Sequence, residues 1–335
     1  MINKHMEKQK SIRTESDVLP ELLPLLKRRP IVNLLDPPDL HDLTAVPIAD
    51  ERVSISVKTI SCSDRSIRIV CYSSKRKQNI PRPALLWIHG GGYFAGNPES
   101  DSAICEQLVL DADCFVFAVD YRLAPAAPYP AGLEDCYAAL CWMHDNALLL
   151  GINRRRIAVG GVSAGGGLTA ALALLARDRG GPSIAFQMPL YPMLDDRNVT
   201  VSSQQITAEN FPHTWNRQHN LLAWKWYLSE LDDRNLIPYY AAPARTQDLQ
   251  GLPAAYLCIG ELDLFRDETI TYATRLLQSG VPTELHVYPG CYHAFETESD
   301  EIEICSYARA EYVTALRKAI HRRETDSISE LPPVL

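Results

Sequence analysis

The stretch Arg156-Ile-Ala-Val-Gly-Gly161-Val-Ser163-Ala-Gly165-Gly-Gly-Leu-Thr-Ala-Ala-Leu-Ala-Leu-Leu-Ala176 decides how the rest of the chain is read. Its first four residues form a short run of strand type, and its apolar tail has the length of a helix. Between them stands Gly161-Val162-Ser163-Ala164-Gly165, a G-x-S-x-G pentapeptide in a strand–turn–helix setting. A serine on so sharp a turn needs strained backbone angles, and flanking glycines let other segments come close. The helix start then places N–H groups and a positive dipole end beside the serine. Ser163 is therefore the candidate nucleophile. The same glycines also fit G-x-G-x-x-A, a dinucleotide fingerprint running from Gly165 to Ala170. That fingerprint belongs directly at a strand end, whereas five residues intervene here after Val159.

Working outward, short apolar runs alternate with helical stretches. The runs are 84–88, 114–119, 156–159, 184–190, 254–259 and 284–288; the helical stretches are roughly 101–111, 132–148, 164–178, 267–279 and 301–322. Runs without alternation suit strands buried on both faces, and their alternation with helices predicts a mostly parallel sheet flanked by helices. Upstream, Val53, Ile55 and Val57, then Ile67, Ile69 and Cys71, alternate with other residues, which predicts two neighbouring half-buried strands and brings the total to eight.

His89-Gly90-Gly91-Gly92-Tyr93 follows the run ending at Ile88. Three glycines at a strand end leave backbone amides open to a ligand, and such a loop supplies oxyanion-hole N–H groups. A nucleophilic serine needs a base, and the base needs an orienting acid. With an elbow of this kind the acid and then the histidine follow the serine in the chain, at strand ends. The run 254–259 leads into Gly260-Glu261-Leu262-Asp263, and the run 284–288 leads into Pro289-Gly290-Cys291-Tyr292-His293. Asp263 and His293 are the expected partners. Glu261 and Asp267 compete for the acid's role, and His213, His219, His286, His41, His144 and His321 for the base's.

Residues 195–245 break the rhythm and carry Trp215, Trp224, Trp226 and Tyr227. So long an insertion suggests a lid. The expected organisation is an N-terminal cap segment at 1–50, a core first part at 51–194, a cap insertion at 195–245, a core second part at 246–322 and a tail at 323–335. The prolines of 17–27 predict short helical pieces in the first segment. Tyr93, Trp215 and Tyr191 are expected to line the substrate pocket.

The 335 residues are 46% hydrophobic and 22% charged, a globular composition. The net charge of −8 gives no general grip on nucleic acid or anionic lipid. The longest apolar run, 167–176, is half what a bilayer span requires, and no secretory h-region follows the start, so no membrane anchoring is expected. Nine cysteines, an odd count without a Cys-x-x-Cys pair, read as reduced thiols of a cytoplasmic protein. The sequon at Asn198 is then a chance match. No His-Glu-x-x-His, no Cys/His ligand spacing and no Walker loop occurs, so neither metal nor cofactor is expected. The terminal sheet edge leaves a homodimer open.

Together, His89-Gly-Gly-Gly-Tyr93, Asp120-Tyr-Arg-Leu-Ala-Pro125, Tyr129-Pro-Ala131, Asp135, Gly161-Val-Ser-Ala-Gly-Gly166, Asp263 and His293-Ala-Phe295 resemble the hormone-sensitive-lipase-like family of α/β-hydrolase esterases (bacterial family IV). The match runs from about 50 to 320. The resemblance implies an α/β-hydrolase fold with an eight-stranded sheet and a helical cap, and serine carboxylesterase activity on short- to medium-chain acyl esters with water as co-substrate. It implies Ser163, Asp263 and His293 as a triad, the amides of Gly91, Gly92 and Ala164 as oxyanion hole, and structural roles for Arg122 and Asp135. The chain departs from the family pattern at Val162, Ala126 and Leu264, none of them in the triad. A serine amidase or N-deacylase on the same triad, and a non-catalytic receptor on the same fold, are the alternatives.

Overall fold

The computed structural model describes residues 13–32, 50–62, 65–76, 80–231 and 233–322. The expectations for the outer parts of the N-terminal segment, for His41 and for the tail at 323–335 fall outside these residues.

Eight strands form one sheet: β1 Val53–Ser61, β2 Ser66–Ser74, β3 Arg82–Ile88, β4 Phe115–Asp120, β5 Ile152–Val162, β6 Phe186–Leu190, β7 Ala255–Leu262 and β8 Thr283–Tyr292. Their order is β1-β2-β4-β3-β5-β6-β7-β8. β2 runs antiparallel to both β1 and β4, and every later pairing is parallel. The helices are α1 Leu23–Leu26, α2 Ser102–Asp111, α3 Ala131–Asp145, α4 Ala147–Leu150, α5 Ala164–Asp178, α6 Val201–Gln205, α7 Arg217–Tyr227, α8 Arg266–Gln278 and α9 Glu303–His321. α2 lies against α9 and α3 against α5, so helices flank the sheet.

The central strands are apolar because both faces are covered: every residue of β3 and of β6 is buried. α5 is buried from Ala164 to Ala176 and fills the layer under the sheet's centre. Each parallel strand points its carboxyl end to the same edge. The loops after β3, β5, β7 and β8 therefore meet there, although they are far apart in sequence.

The strand and helix expectations hold with shifts of a few residues. β1 differs in burial: Val53 and Ile60 are buried, while Ile55 and Val57 are exposed. β1 is an edge strand paired with β2 alone, so its alternation marks a strand without marking a buried face. All nine cysteines are free. Asn198 is buried and its side chain donates to the Asp196 carbonyl, so the sequon is not presented on the surface. No helix among the described residues is long and apolar enough to cross a membrane.

Within the insertion, Asn216 caps α7 by accepting from the amides of Gln218 and His219, and Thr200 caps α6. The described N-terminal residues pack on this insertion. Glu15 accepts from His213 Nδ1 at 2.8 Å, and His219 Nε2 donates to the Val32 carbonyl at 2.8 Å.

Candidate active site

Ser163 sits between the end of β5 and the first residue of α5 with φ 56° and ψ −118°. That is the left-handed region, costly for a residue with a Cβ. Three backbone bonds hold the turn: Ser163 N–H donates to Leu190, and the Ser163 carbonyl accepts from the amides of Gly167 and Met193. At Gly165 the reason for glycine is close approach, because a Cβ there would run into the carbonyl oxygens of Ile88 and His89.

The structure joins three of the expected residues in one chain of hydrogen bonds. Ser163 Oγ lies 3.0 Å from His293 Nε2, and His293 Nδ1 lies 2.7 Å from Asp263 Oδ2. Asp263 Oδ1 accepts from the Phe265 amide at 2.9 Å, which fixes the carboxylate. All three residues are buried. The His293 ring meets Tyr191 and Phe265 edge-on, at centroid distances of 5.0 and 5.3 Å. With Nδ1–H directed at a carboxylate, Nε2 is left to accept from the serine hydroxyl.

The competitors are engaged elsewhere. Glu261 pairs with Arg13 and accepts from the Gly290 amide, and Asp267 accepts from Ser202 and pairs with Arg266. His213 and His219 face the N-terminal segment, His286 pairs with Glu284, His144 meets Asp145, and His321 donates to the Ala112 carbonyl.

Three amides point to what the site can stabilise. Ala164 opens α5, so its N–H has no carbonyl one turn back. The amides of Gly91 and Gly92 donate to no described residue. Gly92 has φ +60°, and a Cβ on it would lie 2.5 Å from the Trp215 ring. Trp215 thus closes on Gly92, stacks on Phe94 at a centroid distance of 6.2 Å and is half-buried. The loop is held from behind by His89, whose Nδ1 donates to the Gly90 carbonyl and whose ring stacks on Tyr121 at 4.3 Å. Burial pushes the His89 imidazole down to about 4, so it stays neutral.

The other two residues expected at the pocket are placed less openly. Tyr93 is buried, donates its hydroxyl to the Met193 carbonyl and stacks on Tyr227 at 4.0 Å, so its side chain is turned into the core. Trp224 and Tyr227 pack in the same cluster. Tyr191 is also buried, and its hydroxyl donates to Glu296 Oε1 at 2.6 Å. Its edge-on ring makes it a wall of the His293 ring.

Two supports are not legible in the sequence. Arg29 donates to the carbonyls of His293 and Ala294 and pairs with Glu298, so the N-terminal segment braces the histidine loop. Glu296, three residues past His293, is buried beneath Tyr191, and burial pushes its carboxyl up. Nothing in the local pattern distinguishes either residue from a surface charge. Arg122 and Asp135 are placed as expected: Asp135 is buried and accepts from Arg122 Nε at 2.8 Å and Arg65 Nε at 2.6 Å.

A strained serine at the centre of a parallel sheet, hydrogen-bonded to a histidine that faces a buried carboxylate, defines an α/β hydrolase by fold and site. A family model for the alpha/beta hydrolase fold matches residues 85–297. The chain belongs to this family, in its hormone-sensitive-lipase-like branch of carboxylic ester hydrolases. It is 36% identical to esterase LipI of Mycobacterium tuberculosis over 240 residues, covering 71% of this chain and 73% of the relative. Carboxylesterase NlhH of the same organism is 36% identical over 241 residues, covering 71% and 74%. Among solved structures, a bacterial heroin esterase superposes with a TM-score of 0.84 at 38% identity, covering 92% of this chain and 99% of the other.

Proposed function

We infer that the protein hydrolyses short- to medium-chain acyl esters through Ser163, with a covalent acyl-enzyme. The observation that carries this reading is the unbroken hydrogen-bond chain Ser163–His293–Asp263 at a strained turn. His293 Nε2 takes the hydroxyl proton as Ser163 Oγ bonds to the ester carbonyl carbon. Asp263 holds the ring tautomer and stabilises the imidazolium. The amides of Gly91, Gly92 and Ala164 receive the oxyanion; one such donor is typically worth on the order of 10²–10³ in turnover. The imidazolium then protonates the departing alkoxide as the carbon–oxygen bond breaks. Water, deprotonated by His293, attacks the acyl-enzyme, and Ser163 leaves with the proton.

The size limit on the acyl chain is assigned to the cap made by residues 13–32 and 195–245, with Trp215 as the side chain nearest the oxyanion loop. The names of the relatives, esterases and carboxylesterases, support esters over amides. The test is hydrolysis of p-nitrophenyl esters from acetate to palmitate beside Ser163→Ala and a matched anilide. Turnover that peaks at short chains and vanishes in the variant is expected. Folded protein idle on every ester, or faster on the anilide, would overturn the reading.

A further inference from the structure

The sequence holds no metal-binding spacing, yet among the described residues folding assembles one group of metal-type donors outside the active site. Glu284 and His286 lie two residues apart on β8, so they project from the same face of the strand. Glu311 is on α9. One donor atom from each of the three lies within 4.8 Å of the other two. His286 Nε2 is 2.7 Å from Glu284 Oε1 and 3.8 Å from Glu311 Oε2. Two tyrosine rings lie beside the imidazole, Tyr256 at a centroid distance of 5.3 Å and Tyr288 at 6.1 Å. All three residues keep part of their surface open, which leaves room for water to complete a coordination sphere.

The charge balance is the second argument. Among the described residues, His286 is the only basic group within ion-pair distance of either carboxylate. Two carboxylates therefore share one imidazole. Ligand atoms around a tetrahedral zinc ion stand about 3.3 Å apart, given metal–ligand bonds of about 2.0–2.1 Å. The separations of 2.7 and 3.8 Å from His286 Nε2 bracket that spacing. One imidazole with two carboxylates suits a divalent transition ion over calcium or magnesium, which take oxygen ligands.

We propose that Glu284, His286 and Glu311 form a site for a divalent transition-metal cation of the zinc type, tying the edge strand β8 to α9. No residue of the site touches Ser163, His293 or Asp263, so the ion would act on the stability of this edge and not on the ester chemistry. β8 leads directly into His293, and the tie would hold the outer margin of the sheet on which that loop stands.

The test uses the full chain, stripped with a chelator and then titrated with zinc by calorimetry, with cobalt absorption as an independent report on the ligand set. The expected result is one saturable zinc per chain at micromolar concentration, a raised Tm, and affinity weakened at least tenfold in both His286→Ala and Glu311→Gln. Both variants should keep wild-type turnover on p-nitrophenyl acetate, which shows that they fold and separates this outcome from any failure of the esterase reading. Zinc binding that is equal in wild type and in the double variant would place the ion elsewhere and overturn the proposal. So would the absence of binding below millimolar zinc.

Discussion

Ser163 accepts an unfavourable backbone conformation that three hydrogen bonds hold in place, and the strain keeps its hydroxyl on the histidine. The chemistry then depends on one ring. His293→Ala removes the only described group within hydrogen-bond reach of Ser163 Oγ. The expected outcome is a fall in kcat on the order of 10⁴–10⁶ at saturating p-nitrophenyl acetate, with KM little changed. A variant that kept turnover within tenfold of wild type would exclude His293 as the base. Val162, which departs from the family pattern, is buried, and its Cγ2 lies against Gly90 of the glycine loop, 3.3 Å from where a Cβ on that glycine would stand.

At the scale of elements, the site is a meeting of four strand ends with an N-terminal segment that braces two of them. Arg13 pairs with Glu261 at the end of β7, the Leu19 amide donates to the Gly290 carbonyl, and Arg29 donates to the carbonyls of His293 and Ala294. Arg29→Ala removes the Glu298 pair and both carbonyl contacts together. The expected outcome is a loss of about tenfold in kcat, through loosened placement of the ring. Steady-state kinetics at substrate saturation checks it; unchanged kcat would show that the loop stands without the brace. An exposed ion pair alone would not move turnover, so the measurement reads positioning and not surface charge.

At the scale of the whole molecule, two titratable groups that burial shifts in opposite senses set opposing pH dependences. Asp101 is half-buried and accepts from the Trp87 indole, and burial of its carboxyl pushes it up from 3.8 to about 6. Between these values the native chain holds a proton that the unfolded chain has lost, so this group's contribution to stability falls as pH rises. His89 is pushed down from 6.5 to about 4, so over nearly the same window the unfolded chain holds the extra proton and stability rises with pH. The two contributions largely cancel. Asp101→Asn keeps the acceptor for Trp87 and removes the first, which amounts to about 3 kcal/mol. Urea denaturation from pH 4 to 6.5 should then show the variant gaining on wild type as pH rises. A difference between the two that stays flat across that window would show that Asp101 is ionised throughout.

What the sequence by itself determined is what short-range chemistry encodes. Apolar runs of strand length, helix-length stretches between them and the glycine-flanked turn at Ser163 each depend on neighbours a few residues away, and all eight strands lie where those runs predict them. The placement of Asp263 and His293 at strand ends was legible for the same reason. Tertiary structure decided what depends on register and on which surfaces meet. It chose Asp263 over Glu261 and Asp267 as the carboxylate facing His293, because only Asp263 leaves its loop toward the ring while the others are taken by Arg13, Arg266 and Ser202. It turned Tyr93 into the core, left Ile55 and Val57 exposed on an edge strand, and brought Arg29 to a carbonyl 264 residues away. Such contacts join segments whose separation in sequence carries no periodic signal, so only the packed sheet and its flanking helices bring them together.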